Sequence, residues 1–368
     1  MKDNRKIKVG ITHGDINGIG YEVILKALED TRMTELCTPV IYGSAKIAAY
    51  YRKGADLPQV NMTIINSAQD AREGEVSIIN VVPEDTKIEP GVASKTAGEA
   101  AFIALERAVA DLRNGDIDVL VTAPINKDSI QSDTFRFPGH TEYLEASIGD
   151  GDKSLMVLCS DALRVALVTT HMSIAKVPGA VTRESIMEKL TIFDKSLRRD
   201  FAIHTPRIAV LALNPHAGEN GLLGNEEQEV IAPAIEEARK AGILAFGPYA
   251  ADGFFGSEAY MKFDGVLAMY HDQGLAPFKT IAMDNGVNFT AGLPFVRTSP
   301  DHGTGFDIAG KGEASAESMR QAIYMAIDVY RNRENHDYAY RNPLRKQYFE
   351  KGKDNVVLDL SKDESDRD

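Results

Sequence analysis

Three short apolar runs, each followed by a histidine in a polar cluster, constrain the fold of this 368-residue chain more than any other feature. The runs and their histidines are residues 163–168 with His171, residues 208–213 with His216, and residues 266–269 with His271. Apolar runs of this length are typical of buried strands. Such a strand carries its histidine to the carboxyl edge of a sheet, where open α/β sheets bind ligands. We therefore expect the three imidazoles to lie near one ligand site.

Strand-like and helix-like segments alternate along the rest of the chain. Strands are predicted at residues 6–12, 39–43, 76–82 and 119–122, and helices from Gly20 onward and at Lys95–Asn114. This alternation predicts an α/β fold with a mostly parallel sheet and helices on its faces. The length allows two domains, and the lack of a flexible linker suits domains that share strands or cross over more than once.

Composition narrows the classes of function. The net charge of −13 argues against a nucleic-acid partner, so an anionic substrate would need a local cluster of lysine and arginine. Cys37 and Cys159 are the only cysteines, and we expect both to be small buried residues rather than a disulfide. No signal-peptide pattern or membrane-length apolar run is visible, so we expect a cytoplasmic protein without a membrane partner.

The three histidines have two interpretations. Three neutral imidazoles at one site would hold a divalent metal and leave positions open for a substrate. On affinity grounds this donor set suits Zn, Co or Ni better than Mg. The alternative is that each histidine is a hydrogen-bonded core or loop residue.

Two segments at the starts of predicted helices suit anion binding. Residues 14–20 (GDINGIG) predict either a tight turn before a capped helix or an anion cradle at the helix N-terminus. His140 and Thr141 open another predicted helix, where they would hold an oxyanion, or Thr141 would serve only as a cap.

Polar residues of the second half suggest a charged ligand. Residues 214–227 (NPHAGENGLLGNEE) are rich in glycine, which predicts special backbone geometry. Lys279, Asn288 and Arg297 are spread over a mainly apolar region. A lysine and an arginine suit a phosphate or carboxylate, and surface solvation is the alternative.

Residues 301–312 (DHGTGFDIAGKG) combine small residues with histidine and aspartate. The small residues permit close approach by a flat ligand, and the polar side chains offer stacking and hydrogen bonds to a ribose or adenine. The candidate contacts are His302, Gly303, Thr304 and Asp307. Composition alone predicts only a tight loop.

Together these motifs resemble the 4-hydroxythreonine-4-phosphate dehydrogenase family of pyridoxine biosynthesis. The resemblance runs from Lys8 to about Ile323 and is carried by GDINGIG, TAPINK, FPGHTEYL, TTH, NPHAGENGLLGNEE, YHDQGLAPFK and VNFTAGLPFVRTSPDHGTGFDIAGKG. His13, Ile16 and Tyr21 stand where the family usually has proline, so the resemblance assigns no role to His13.

The resemblance implies two α/β/α domains with mostly parallel sheets, similar to isocitrate and isopropylmalate dehydrogenases, with the active site in the cleft between them. We expect a discontinuous first domain at 1–135 plus 300–368 and a second domain at 136–299. The second domain would carry the metal ligands and the dimer interface, and 353–368 would be a frayed acidic tail. A homodimer would share each metal site between its subunits, with His271 as our choice for the ligand that crosses over.

The resemblance also implies residue roles. His171, His216 and His271 match metal ligands for one divalent ion per subunit (Zn, Co, Mn or Mg). His140, Thr141, Lys279, Asn288 and Arg297 match substrate-binding positions, and the cofactor is NAD or NADP. Asp252, Asp272 and Lys279 are our candidates for the proton acceptor.

The expected reaction is metal-dependent oxidation by NAD(P) of 4-phosphooxy-L-threonine at C3, followed by decarboxylation to 3-amino-2-oxopropyl phosphate. The alternative within the family is a dehydrogenase of 4-phospho-D-threonate or 4-phospho-D-erythronate, which carry a hydroxyl in place of the amine. A metal-dependent hydrolase would need no dinucleotide loop. A non-catalytic binding protein would not need three metal ligands together with Lys279 and Arg297.

Overall fold

Twelve strands form a single sheet in the computed structural model, which describes residues 5–342. In chain order they are β1 (Ile7–Thr12), β2 (Cys37–Gly43), β3 (Met62–Ile65), β4 (Val76–Asn80), β5 (Val119–Thr122), β6 (Leu155–Cys159), β7 (Arg164–Leu167), β8 (Arg207–Leu211), β9 (Leu244–Tyr249), β10 (Gly265–Ala268), β11 (Val287–Ala291) and β12 (Val296–Pro300). Across the sheet the order is β3-β4-β2-β1-β5-β12-β11-β6-β7-β10-β8-β9.

Eleven α-helices, several of them one turn long, connect these strands within the described residues. They are α1 (Gly20–Ala27), α2 (Met33–Leu36), α3 (Ala45–Gly54), α4 (Lys95–Asn114), α5 (His140–Ile148), α6 (Val177–Ala180), α7 (Arg183–Arg199), α8 (Ala232–Lys240), α9 (Ala251–Gly256), α10 (His271–Ala282) and α11 (Glu317–Tyr340). Local chemistry sets their limits. Helix α4 begins after Ser94, whose hydroxyl accepts a hydrogen bond from the Ala97 N–H, and ends at Gly115 with φ 77°.

The sheet confirms the predicted α/β class, because most of its neighbouring strands are parallel and helices pack on it. The three apolar runs before the histidines become β7, β8 and β10, which are neighbours and mutually parallel. The predicted strands at the N-terminal half become β1, β2, β4 and β5, and the helix predicted at Lys95–Asn114 is α4. Strands β3, β6, β9, β11 and β12 were not predicted.

Three antiparallel pairs interrupt the sheet at its centre. Strand β11 is antiparallel to β12 and to β6, and β6 is antiparallel to β7. Strands β7 to β10 consequently run opposite to β1, β5 and β12. The predicted division into two domains stays a prediction, and the predicted tail at 353–368 lies outside the described residues.

Two expectations from composition can be compared with the structure. Cys37 and Cys159 are free and buried, as predicted, and burial raises the pKa of each thiol to about 12. Within residues 5–342, no helix combines the length and apolarity needed to span a lipid bilayer.

A buried ion pair ties α11 to the end of α7. The Arg333 Nε donates to Asp200 Oδ1 at 2.6 Å, and Ser196 donates to the other carboxylate oxygen at 2.6 Å. Arg333 also donates to the Leu293 carbonyl at 3.0 Å. With both charges buried and hydrogen-bonded, removal of one partner would leave the other charge uncompensated.

We expect Arg333→Met to lower the free energy of unfolding by about 3–5 kcal/mol, because Asp200 would keep a buried charge without its counter-ion. Arg199→Met is the matched control, since the Arg199 pair with Asp337 is far more exposed and should contribute less than about 1 kcal/mol. Urea denaturation followed by circular dichroism measures both. Similar losses in the two variants would contradict the special role of the buried pair.

Candidate active site

A cleft of about 310 Å³ brings together most of the predicted site residues. It lies against the central strands β12, β11 and β6, and residues of α5 and α10 border it. The predicted residues in its lining are His140, Thr141, His171, His271, Lys279, Asn288, Arg297, His302 and Gly303. Those placed elsewhere in the described part of the chain are His216, Asp252, Asp272, Thr304 and Asp307.

Arg297 supplies a buried positive charge in this cleft. Its side chain donates to the hydroxyls of Thr122 at 2.6 Å and Thr290 at 3.2 Å, and only 4% of the residue is exposed. Within residues 5–342, no carboxylate is hydrogen-bonded to it. Burial lowers the pKa of Arg297 to about 10, so the guanidinium still carries its charge at neutral pH. A buried cation without a bonded counter-ion suits an anionic ligand.

His140 is a neutral neighbour of this charge. Since arginine can only donate, His140 Nδ1 must accept the hydrogen bond from Arg297 Nη2 at 3.1 Å. Burial lowers the pKa of His140 well below its usual value, and the charges of Arg297 and Lys127 lower it further. The neutral ring therefore keeps its proton on Nε2, where it can donate to a ligand.

Two buried polar atoms of the cleft residues have no partner within the described chain. They are Asn288 Oδ1 and His302 Nε2. His302 Nδ1 lies 3.1 Å from the Gly303 carbonyl, which makes Nδ1 the donor and Nε2 a free acceptor. Burial lowers the pKa of His302, so the ring stays neutral. Because unsatisfied buried polar atoms cost about 1–3 kcal/mol each, these positions suit ligand groups that can donate to them.

His171 and His271 converge as the sequence predicts. Their ring centroids lie 6.0 Å apart. His271 Nδ1 lies 2.7 Å from Asp272 Oδ1, and a histidine that donates to a carboxylate in this way presents the lone pair of Nε2 to a metal. His171 Nε2 lies 3.1 Å from the Lys127 ammonium, so this nitrogen also acts as an acceptor. Each ring thus has an acceptor nitrogen of the kind that binds a divalent metal, and in His171 this nitrogen is bonded to the Lys127 ammonium.

His216 does not join them within one chain. Among residues 5–342, no group of three or more histidine, cysteine, aspartate or glutamate side chains is close enough to hold a metal ion. His216 is exposed and follows Asn214 and Pro215, which line a second cleft. The role of His216 as a metal ligand stays a prediction.

The segment that carries His216 has an unusual backbone. Six consecutive residues, 216–221, have φ between 43° and 97°, and together they form a left-handed turn. A left-handed conformation costs a residue with a side chain roughly 1–2 kcal/mol. The special backbone geometry predicted from the glycine-rich sequence is thus confirmed, although only Gly218 and Gly221 of the six are glycines.

Glu227 holds this left-handed turn in place. Its buried carboxylate accepts backbone hydrogen bonds from Leu213 at 2.9 Å and Asn214 at 2.7 Å. It also accepts from the Asn214 side chain at 3.0 Å. A Cβ on Gly218 would lie 2.6 Å from Glu227 Oε2, so the turn packs directly against its anchor.

Two of the predicted proton acceptors lie away from the first cleft. Asp252 and Asp272 line a second cleft of about 490 Å³, together with Asn214 and Pro215 at the start of the left-handed turn. The Asp272 side chain is 85% exposed and contacts His271. Lys279 alone of the three predicted acceptors lines the first cleft.

The predicted dinucleotide loop is anchored to α1. The Glu22 carboxylate accepts from the Gly310 and Gly312 N–H groups, and Lys26 donates to the Gly312 and Ala314 carbonyls at 2.6 and 2.7 Å. Only the first three residues of the loop, Asp301, His302 and Gly303, reach the cleft. The contacts of Thr304 and Asp307 with a dinucleotide stay predictions.

Residues 14–20 form a tight turn rather than an anion cradle. The turn is buried, and its N–H groups already have protein acceptors: Asp15 donates to the Pro124 carbonyl at 2.9 Å and Ile19 to the Thr304 carbonyl at 2.9 Å. Helix α1 has no side-chain cap at Ile19. His13 is fully buried and stacks on Tyr21 at 5.3 Å, and burial lowers its pKa to about 4. These residues support the fold beneath the cleft.

Thr141 is not a helix cap. Gly139 occupies the N-cap position of α5 without a side-chain hydrogen bond, and Thr141 lines the cleft from the first turn. The structure thus removes the cap interpretation of Thr141, and its contact with a ligand stays a prediction.

Three charged lining residues were not predicted from the sequence. Lys127, Glu142 and Asp301 each lie inside a quoted motif, but nothing in the motif distinguished them from surface charges. Glu142 Oε1 lies 3.6 Å from His171 Nδ1, and this contact is the main cause of the lowered pKa of Glu142. Asp301 lies 3.8 Å from the Lys279 ammonium.

Comparison with known proteins identifies the family. The model of the family described as pyridoxal phosphate biosynthetic protein PdxA matches residues 35–326. The chain belongs to the PdxA family. This finding confirms the resemblance carried by the sequence motifs.

Relatives in the PdxA family are similar over nearly their whole length. A 4-hydroxythreonine-4-phosphate dehydrogenase of Bacteroides thetaiotaomicron is 59% identical over 360 residues, which cover 98% of each chain. One of Aquifex aeolicus is 43% identical and covers 88% of this chain and 98% of its own. The crystal structure of 4-hydroxythreonine-4-phosphate dehydrogenase from Klebsiella pneumoniae is 35% identical, with a TM-score of 0.76 over 90% of this chain and 99% of that one.

Proposed function

We propose that this chain is a 4-hydroxythreonine-4-phosphate dehydrogenase. The observation that carries the proposal is the 59% identity, over 98% of both chains, to the relative of that name. The reaction is the NAD(P)-dependent oxidation of 4-phosphooxy-L-threonine at C3, followed by decarboxylation to 3-amino-2-oxopropyl phosphate. The cleft supports this reaction because it offers separate groups for the anionic, neutral and cationic parts of such a substrate.

In this proposal Arg297 and His140 bind the phosphate. The buried guanidinium provides the charge, and the Nε2–H of neutral His140 and the Thr141 hydroxyl add hydrogen bonds. Lys279 lines the same cleft and provides a second cation. These groups explain how a protein with a net charge of −13 attracts a phosphorylated acid.

Glu142 favours the amino acid over its hydroxy-acid analogue. Its contact with His171 lowers the pKa of this carboxyl, so Glu142 is ionised at neutral pH. A carboxylate in the cleft would attract the substrate ammonium, whereas 4-phospho-D-threonate offers only a hydroxyl at that position. We therefore place the phosphorylated amino acid first and the hydroxy acids second.

His171 and His271 would hold the divalent metal together with His216 of the partner subunit. The pairing of His171 with His271 at 6.0 Å supports this arrangement and replaces our earlier choice of His271 as the ligand that crosses over. It requires a homodimer with shared sites. When bound, the metal would supply a Lewis acid and the nicotinamide dinucleotide a hydride acceptor.

Different residues of the cleft would contact the cofactor and the metal. His302 and Gly303 begin the anchored loop and would contact the dinucleotide, with the unpartnered His302 Nε2 as an acceptor for a hydroxyl. We place NAD before NADP, and Zn, Co or Mn before Mg because imidazole is the ligand type.

A substrate comparison tests the proposed function. Purified protein is assayed for cofactor reduction with 4-phosphooxy-L-threonine, 4-phospho-D-threonate and 4-phospho-D-erythronate, with NAD and NADP, and with each metal in turn. We expect the highest kcat/KM for 4-phosphooxy-L-threonine. A higher kcat/KM for either hydroxy acid would move the chain to the alternative substrate class, and no reduction with any of the three would contradict a dehydrogenase.

A further inference from the structure

Asp301 is the carboxylate that the cleft holds next to both the substrate and cofactor residues. It follows β12 directly and is the first residue of the predicted dinucleotide loop, immediately before His302. Its side chain is 13% exposed and lines the cleft. The other lining carboxylate, Glu142, is engaged with His171.

The backbone fixes Asp301 in this position. Its N–H lies 3.2 Å from the Gly286 carbonyl and 3.3 Å from the Ser318 hydroxyl, and Ser318 itself donates to the Gly286 carbonyl. The residue is therefore held between the start of β11 and the start of α11. Because its backbone is held in this way, the Asp301 carboxylate has a fixed position relative to a ligand in the cleft.

Lys279 is the main charged partner of Asp301. The Lys279 ammonium donates to the Asp301 backbone carbonyl at 3.3 Å and lies 3.8 Å from the carboxylate. The distance to the carboxylate exceeds that of a hydrogen bond, so both carboxylate oxygens keep accepting capacity. The other titratable groups that face Asp301 are His271, also on α10, and the adjacent His302.

Asp301 meets the requirements of a proton acceptor better than the residues predicted from the sequence. Asp252 and Asp272 line the second cleft, and the Lys279 ammonium has no lone pair. Burial raises the pKa of Asp301, and the charges of Lys279 and His271 oppose this rise. The geometry carries the role, because a carboxylate with free oxygens and a fixed position in the cleft can accept a proton from a hydroxyl within hydrogen-bond reach.

We propose that Asp301 is the catalytic base that accepts the proton of the substrate hydroxyl during oxidation. The inference rests on the proposed function. The O–H bond breaks and its proton passes to an Asp301 oxygen, while the oxygen electron pair forms the C=O double bond. The C3–H bond breaks with its electron pair, which passes as hydride to the nicotinamide. The alcohol is oxidised to a ketone, the dinucleotide is reduced, and Asp301 ends protonated.

Asp301→Asn tests this role, because asparagine keeps the size of the side chain and cannot accept the proton. We expect kcat to fall by about 10²–10⁴-fold with 4-phosphooxy-L-threonine, with a much smaller change in KM. Wild-type kcat/KM should fall as the pH is lowered and the carboxylate takes up a proton, and this acidic limb should be absent from the variant. Asp301→Glu should keep the acidic limb of the pH profile and part of the wild-type kcat.

Controls separate a catalytic role from a structural one. Asp284→Asn removes an exposed carboxylate just beyond α10 and should leave kcat unchanged. Metal content and thermal melting show whether Asp301→Asn is folded. If Asp301→Asn does not fold, Asp301→Glu is the deciding variant. Loss of the acidic limb from the pH profile of Asp301→Glu would overturn the proposal.

The possible failures are distinguishable. A loss of less than tenfold in folded Asp301→Asn, or an acidic limb that persists in it, overturns the role of Asp301 while the wild-type turnover still supports the function. A rise in KM alone would show that Asp301 only positions Lys279, which also overturns the role. Absence of wild-type turnover with all three phosphorylated acids overturns the function and this role together.

Discussion

Replacement of His271 by alanine should reduce turnover by at least about a thousandfold, because a Lewis acid supplies several kcal/mol of transition-state stabilisation. The variant should also lose most of its bound metal while it remains folded, since His271 is at the partly exposed start of α10 and packs little of the core. Elemental analysis and a thermal melt measure the two effects. Full activity in metal-free protein would contradict the proposed metal site.

Mixtures of inactive variants test how the ligands divide between subunits. If His171 and His271 come from one chain and His216 from the other, His216→Ala mixed with His271→Ala rebuilds one intact site in each mixed dimer. Random exchange should then restore about a quarter of the sites. His171→Ala mixed with His271→Ala is the matched control and should restore none.

The same experiment can reject the proposed division. If His271 were the ligand that crosses over, the mixture of His171→Ala with His271→Ala would regain activity, and His171→Ala with His216→Ala would not. Mass spectrometry of differently tagged chains verifies that exchange has taken place. Recovery in no mixture would reject a shared site.

Replacement of Arg297 should lower activity and raise stability. The residue is buried, and no carboxylate of the described chain is hydrogen-bonded to it, so the folded protein bears the cost of desolvating its charge. Burial lowers the pKa of Arg297 to about 10, which shows the same penalty on the charged form. The charged guanidinium is the form present at neutral pH. Removal of the charge should therefore remove the cost of desolvating it and stabilise the folded protein at neutral pH.

We expect Arg297→Met to lower kcat/KM for 4-phosphooxy-L-threonine about thirtyfold, which corresponds to about 2 kcal/mol for a charge-assisted bond to phosphate. The melting temperature should stay equal or rise, and binding of the dinucleotide should barely change. Arg297→Lys keeps a positive charge but lacks the guanidinium fork. Its kcat/KM should therefore lie between those of the wild type and Arg297→Met. A loss of cofactor binding with intact substrate binding would show that the role is wrong.

The elements that the sequence predicted well have strong local signals. The helix α4 has an amphipathic pattern over twenty residues, and β5 is a wholly buried apolar run. Strands β11 and β12 carry Asn288, Arg297 and Thr298 within buried stretches, and this polar content hides them. Asn288 and Arg297 line the cleft, so the polar residues of the site themselves weakened the strand signal.

The site was predicted through motifs, and its missing members depend on tertiary contacts. Lys279 and Asp301 are 22 residues apart, and β11 and β12 fold between them. Glu142 meets His171 only because α5 and the end of β7 approach the same cleft. A single sequence contains no pattern that pairs such residues. Charged residues of the same kinds occur on any solvated surface, so charge alone does not identify them as site residues.

The left-handed turn at 216–221 limits which substitutions the protein can tolerate in this segment. Its four residues other than glycine together carry roughly 4–8 kcal/mol of unfavourable backbone energy, which is similar to the whole stability of many domains. Branched side chains, which tolerate this conformation least, are therefore barred from the segment. Loss of the Glu227 carboxylate would free the Leu213 and Asn214 N–H groups at the entry to the turn and so disturb the position of His216. A substitution at this supporting acid would therefore act on the same segment as a substitution at His216 itself.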